Sequence, residues 1–260
     1  MEYLVVCLVA VLVSALTLFS GFGLGTVLMP AFALFFPVPV AIAATAVIHL
    51  ANNLFKVFLV GREADWGVVK RFAIPGVLAA MIGAAILNLF ANLSPLQTYQ
   101  FFGRAHDVTI VKLVIGVLII GFAIFELAPR FRQLAFDRRY LPLGGLLSGF
   151  FGGLSGNQGA LRSAFLLKIG LSKEAFIGTG TVSAVIVDVA RTLVYGLGFY
   201  TSRFAELGGL WPLVLAATLA AFIGAFMGTR LLKKITYGAI QLIVGIMLVV
   251  IGLGMATGLL

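Results

Sequence analysis

The sequence predicts an all-α polytopic membrane protein built from two internally duplicated halves. Three observations predict it. Only 10% of the 260 residues are charged and 62% are hydrophobic, where a soluble domain carries about 25% charged residues. Apolar runs approach or exceed the ~20 residues that a helix needs to cross a bilayer. The same polar landmarks recur in the same order in both halves. The alternating strand pattern of a membrane barrel is absent.

The apolar runs cover 3–19, 38–60, 72–90, 108–127, 176–200, 210–232 and 235–260. The first is not read as a cleavable signal, because no basic residue precedes it and no clear small-x-small cleavage site follows. The formal charge of +9 sits mostly in short loops, where it records topology rather than nucleic-acid binding. A single cysteine, Cys7, excludes an internal disulfide and a cysteine metal cluster.

The duplication is read from matched segments. "AIAATAV" (41–47) aligns with "AFIGTGT" (175–181), "NLFKVFLVG" (53–61) with "DVARTLVYG" (188–196), and "PGVLAA" (75–80) with "PLVLAA" (212–217). The expected division is a first transmembrane repeat over 1–127, a basic cytoplasmic linker over 128–140 and a second repeat over 141–260. Such duplication is the architecture of many secondary transporters.

Each half opens with a Gly-rich break followed by a segment too short to span: "SGFGLGT" (20–26) before 27–36, and "GGLSGNQ" (152–158) before 159–169. Either a broken helix or a re-entrant hairpin results, and both leave backbone groups unpaired at membrane depth, where they must be buried in protein or line a cavity. Arg62, Lys70 and Arg71, then Arg130, Arg132, Arg138 and Arg139, then Arg230, Lys233 and Lys234 mark three basic loops. Placing all three in the cytoplasm makes each half cross an odd number of times and the halves inverted. The competing arrangement has eight simple spans in two parallel fours.

The polar residues inside this apolar chain are the candidate site. A short helix presents free N–H groups and a positive dipole end to an anion. Gly23, Gly25 and Thr26 at the first break, and Ser155, Gly156, Asn157, Gln158, Gly159, Arg162 and Ser163 at the second, form the expected substrate-binding set. The alternative is that the glycines pack helices and the polar side chains cap them. Arg162 either holds the anion through its planar fork or pairs with Asp188. His49, Asn52, Asn53, Lys56, Thr179, Asp188 and Arg191 are the candidates for coupling or gating. Asp188 and His49 can each carry a proton or serve structure. Lys56 and Arg191 either line the path or reach to the interface. "GLSG" (153–156) also spells the GxSG of intramembrane serine proteases. That chemistry needs a general base, and His49 and His106, the only histidines, both precede Ser155. The segments 63–71, 94–107 and 128–140 are read as loops, with His106 and Asp107 capping a helix start.

"SGFGLGTVLMPAF" with "PVPVAIAATAV", and "LSGFFGGLSGNQGALRSAFLLKIGLSKEAFIGTGT" in the second half, resemble the TauE/SafE family, the sulfite exporter or toluene sulfonate uptake permeases. The resemblance covers essentially the whole chain. It implies a permease in a bacterial-type inner membrane for small sulfur-containing anions such as sulfite or sulfonates, driven by an ion or proton gradient. It implies no catalysis and no cofactor or metal. The expected partners are the anion and membrane lipid, with self-association left open and nucleic acid excluded. An anion channel and a GxSG hydrolase are the competing classes. Many members carry a Gly-Gly-Gly run and a proline in the second copy. Here Asn157, Gln158 and Gly159 stand in that stretch and Ala164 replaces the proline, which leaves the identity of the anion open.

Overall fold

The computed structural model describes residues 1–20, 24–128, 136–167, 169–197, 209–231 and 237–260. Gly23, Arg130, Arg132, Lys233 and Lys234 lie outside them. The order is α1 (Glu2–Ser20), α2 (Leu24–Ala33), α3 (Val38–Val60), α4 (Trp66–Ala91), β1 (Gln97–Phe101), β2 (Arg104–Val108) and α5 (Ile110–Leu127). It continues with α6 (Leu141–Ser155), α7 (Gly159–Leu166), α8 (Lys173–Tyr195), α9 (Trp211–Leu231) and α10 (Tyr237–Ala256). Among the described residues, four helices are long and apolar enough to cross a membrane: those of α3, α4, α8 and α9. Phe58, Ile74, Leu193, Leu215 and Val250 are each more than half exposed. In a bilayer these outward apolar side chains meet lipid, which is as apolar as they are.

Association of such helices cannot rest on apolar burial alone, so close backbone approach carries it. Gly145, Gly149 and Gly153 recur every fourth residue along α6 and so share one face. A side chain at Gly145 would strike the Phe72 carbonyl, one at Gly149 the backbone of Gly76, and one at Gly153 the backbone of Ala80. This seam locks α6 onto α4. A second seam sets Gly224 and Gly228 of α9 against the backbone of Val11 and Ala15 in α1, and a third sets Gly116 of α5 against Gly252 of α10.

Both short helices are present. α2 has ten residues, all buried, including Pro30. α7 has eight. α2 packs between α1 and α3, and α7 packs beside α6 and α8. α3 and α8 pack on each other through the middle of the molecule.

Two segments expected as loops are ordered differently. α4 begins at Trp66, because Asp65 caps it by accepting from the Val68 N–H at 3.1 Å. Only a single 3₁₀ turn, Gly61–Glu63, separates it from α3. Residues 94–107 hold an antiparallel hairpin in which Gln97 pairs with Val108 and Phe101 with Arg104. Its two-residue turn takes positive φ at Phe102 (49°) and Gly103 (72°), the geometry whose twist matches paired strands. His106 therefore lies on β2 and stacks on Tyr99, and Asp107 accepts from Thr98 Oγ1 at 2.6 Å. The helix cap is Thr109, which accepts from the Lys112 N–H. Tyr99 donates to the Thr257 carbonyl at 2.7 Å and ties the hairpin to the end of α10.

Candidate anion site at the helix breaks

α3 carries one polar stripe: Thr45, His49, Asn52, Asn53 and Lys56, at the three- and four-residue spacing of one helical face. All five are buried. Helix α8 answers with Ser183, Asp188 and Arg191, also buried. A polar group has no water to turn to at such depth, so each must find a partner in protein or ligand.

Asp188 is the hub. Its Oδ2 lies 2.7 Å from His49 Nδ1 and accepts from Asn53 Nδ2 at 3.0 Å. Its Oδ1 accepts from Gln158 Nε2 at 2.8 Å and from Arg191 Nε and Nη2 at 2.9 and 2.8 Å. Asn53 and Asp188, which the sequence alignment sets at equivalent places in the two halves, thus bond to each other. Arg191 also donates through Nη1 to the Gly152 carbonyl at 2.9 Å, and Tyr195 donates to the Gly153 carbonyl. Two residues of α8 therefore bond to carbonyls in the last turn of α6, Arg191 to one that also accepts from the Gly156 N–H at 3.0 Å. Arg191 is 1% exposed and Lys56 6%, so neither side chain reaches to the interface. Asn52 bonds to Ser14 on α1. With its amide oxygen turned toward the ammonium it accepts from Lys56 Nζ at 3.3 Å.

The two breaks meet. Gly156 ends α6 with φ of 81° and leaves its carbonyl directed at α2. A Cβ on Gly25 would sit 3.0 Å from that carbonyl and 3.9 Å from His49 Cδ2. A side chain at Gly25 would press on that carbonyl, so glycine here favours the close approach of α2 to the second break.

Beyond the break, α7 starts at Gly159, and its first closed bond runs from the Arg162 N–H to the Gln158 carbonyl at 3.1 Å. The N–H groups of Gly159, Ala160 and Leu161 precede that bond and point out of the helix start. Arg162 forms no ion pair among the described residues, where Asp188 is taken by Arg191 and His49. The expected alternative, an Arg162–Asp188 pair, is therefore not formed. Arg162 Nη1 is buried without a partner, and its Nε lies 3.6 Å from where a Cβ on Gly180 would be. Lys56 likewise has no carboxylate partner among the described residues. Among the described residues, Lys56, Arg162 and Arg191 lie within electrostatic reach of this region against the carboxylate of Asp188. Positive charge is left over in a water-poor interior.

Other expected residues divide. Ser155 donates to the Phe151 carbonyl at 2.9 Å and accepts weakly from the Asn157 N–H at 3.4 Å, so its hydroxyl closes the helix end. Thr179 accepts from the Asp65 N–H at 2.9 Å and pins α8 to the start of α4. Thr26 is buried at the first turn of α2, and Ser163 lies in α7. Thr45 Oγ1, one turn before His49 on α3, and Ser183 Oγ on α8, which sequence reasoning passed over, are buried without partners.

A polytopic helical bundle with paired short helices, and with cations inside it that no carboxylate among the described residues offsets, has the architecture of a membrane transport protein. The sequence profile of the family "Sulfite exporter TauE/SafE" matches residues 6–255, and the chain belongs to that family. It is a multi-pass membrane protein of a transporter family rather than of an enzyme family. No curated protein matches the chain.

Proposed function

We propose that the protein is a secondary permease for small oxyanions, sulfite and organosulfonates foremost, in a bacterial-type inner membrane, driven by an ion or proton gradient. The observation that carries this reading is the unpartnered, buried Nη1 of Arg162, the fourth residue of α7. An arginine at membrane depth costs about 2.5–3.5 kcal/mol on insertion scales, so it is retained for a partner or a task. An anion between the α7 N–H groups and the guanidinium supplies the missing charge. Lys56 adds a second cation, and His49 and Asp188 stand next to it as the coupling elements. Gly25 and Gly156 let the breaks approach, and Thr26 and Ser163 flank them.

The two halves act as inverted repeats, 1–127 and 141–260, hinged by the basic linker 128–140. Supporting this, each half runs a helix of 15 or 19 residues, a short one of eight or ten, then three longer helices, and the first helix of each packs on the fourth of the other, α1 on α9 and α6 on α4. Exchange of access then moves one half against the other around a fixed midplane site.

The test is uptake by proteoliposomes of sulfite, methanesulfonate, thiosulfate and acetate, with and without an imposed pH gradient. Gradient-stimulated accumulation of the sulfur anions is expected. Uptake that only ever equilibrates marks a channel, and uptake of none of them ends the reading.

A further inference from the structure

We infer that Asn157 reads a proton on the transported anion, so that the site takes a hydrogen-bearing oxyanion such as bisulfite in preference to an anion of similar shape and charge without an O–H. The inference rests on the anion site proposed above.

Asn157 is 4% exposed, and neither Oδ1 nor Nδ2 of its amide has a partner. Leaving a buried polar group unmet is costly, and an amide has two of them. The residues around it are all engaged. Ser148 donates to the Gln158 carbonyl, Ser155 to the Phe151 carbonyl and Gln158 to Asp188. Asn157 lies between the left-handed Gly156 and the first residue of α7, beside the only unclosed N–H groups of that helix.

What α7 offers an anion is donors: three backbone N–H groups and Arg162 Nη1. Asn157 brings one more donor, Nδ2, and an amide acceptor, Oδ1, which unlike the hydroxyls of Thr26 and Ser163 cannot turn to donate. A fully deprotonated oxyanion or a sulfonate has no hydrogen for Oδ1 and would set an oxygen or a methyl group against it. A hydrogen oxyanion satisfies both ends at once, its O–H donating to Oδ1 and another of its oxygens accepting from Nδ2. The preference is set by the unmet acceptor, since a site built to bond a hydroxyl rejects the analogue lacking it.

The experiment measures affinity by thermal shift of the full-length protein in detergent, with bisulfite and methanesulfonate as probes, at a pH acidic enough for sulfite to hold one proton. Wild type is expected to bind bisulfite at least about tenfold more tightly, the factor that one hydrogen bond of about 1.4 kcal/mol gives. Asn157→Leu should reduce that preference to below about twofold by weakening bisulfite, which loses bonds to both Oδ1 and Nδ2, more than methanesulfonate, which loses only the Nδ2 donor. Asn157→Ser, which retains a small donor and acceptor, should keep part of it and serves if the leucine variant does not fold. Equal binding of the two anions by wild type, or equal weakening of both by Asn157→Leu, overturns the inference. Arg162→Gln separates the two readings. If it weakens both anions while Asn157→Leu leaves the preference intact, the anion site stands and the proton-reading role falls. If Arg162→Gln changes neither anion, both fall.

Discussion

His49 Nδ1 on α3 lies 2.7 Å from Asp188 Oδ2 on α8, joining the third helices of the two halves through one buried contact. Asn53, Gln158 and Arg191 bring further donors to the same carboxylate. The carboxylate therefore holds α3, α8 and the second break in register, and it frees Arg162 from any pairing duty.

Asp188→Asn should be strongly destabilising. It leaves the Arg191 guanidinium buried without its charge partner, and breaking a buried pair costs about 3–5 kcal/mol. A melting curve in detergent should fall well below wild type, and Asp188→Asn with Arg191→Gln should recover part of the loss. A single variant that melts like wild type contradicts the hub role.

The α4–α6 seam makes a sharper steric prediction. Gly149→Val should lower the melting temperature or prevent folding, because its side chain would meet the Gly76 backbone. Gly121→Val, where nothing lies within 4 Å, should be tolerated. Similar behaviour of the two variants would remove the seam from the account.

Much of this was legible in the sequence, for physical reasons. Gly-rich breaks announce themselves where a backbone must be left open at membrane depth. The alignment that pairs Asn53 and Lys56 with Asp188 and Arg191 picks out four residues that are all buried. The hairpin at 97–108 was not legible: its turn is Phe102-Gly103 rather than the Asn-Gly or Asp-Gly that announces such a turn. Thr45 and Ser183 were not legible either. A lone hydroxyl in an apolar helix usually bonds back to the carbonyl four residues earlier, as Thr181 does to Ile177 and Thr218 to Val214. Which hydroxyls stay unmet depends on the packed helices, not on spacing.

Ser155→Ala should retain most transport. The hydroxyl serves the helix end through the Phe151 carbonyl, a bond worth about 1 kcal/mol. A serine-reactive fluorophosphonate should leave the protein unlabelled, and labelling at Ser155 would reopen the hydrolase class.

Thr179→Val should loosen the junction of α8 with the start of α4, since the Asp65 N–H loses its acceptor. An unmet donor there costs about 1–3 kcal/mol. The expected result is a lower melting temperature with anion affinity unchanged. A large change in affinity at constant melting temperature would instead give Thr179 a place in gating.

The most direct test of the central claim is sulfite affinity in wild type, Arg162→Lys and Arg162→Gln, each with its melting temperature. If Arg162 holds the anion, lysine keeps the charge but loses the two-pronged fork, so affinity falls from wild type to lysine to glutamine while all three stay folded. Equal sulfite affinity in the three proteins would contradict an anion site at the start of α7.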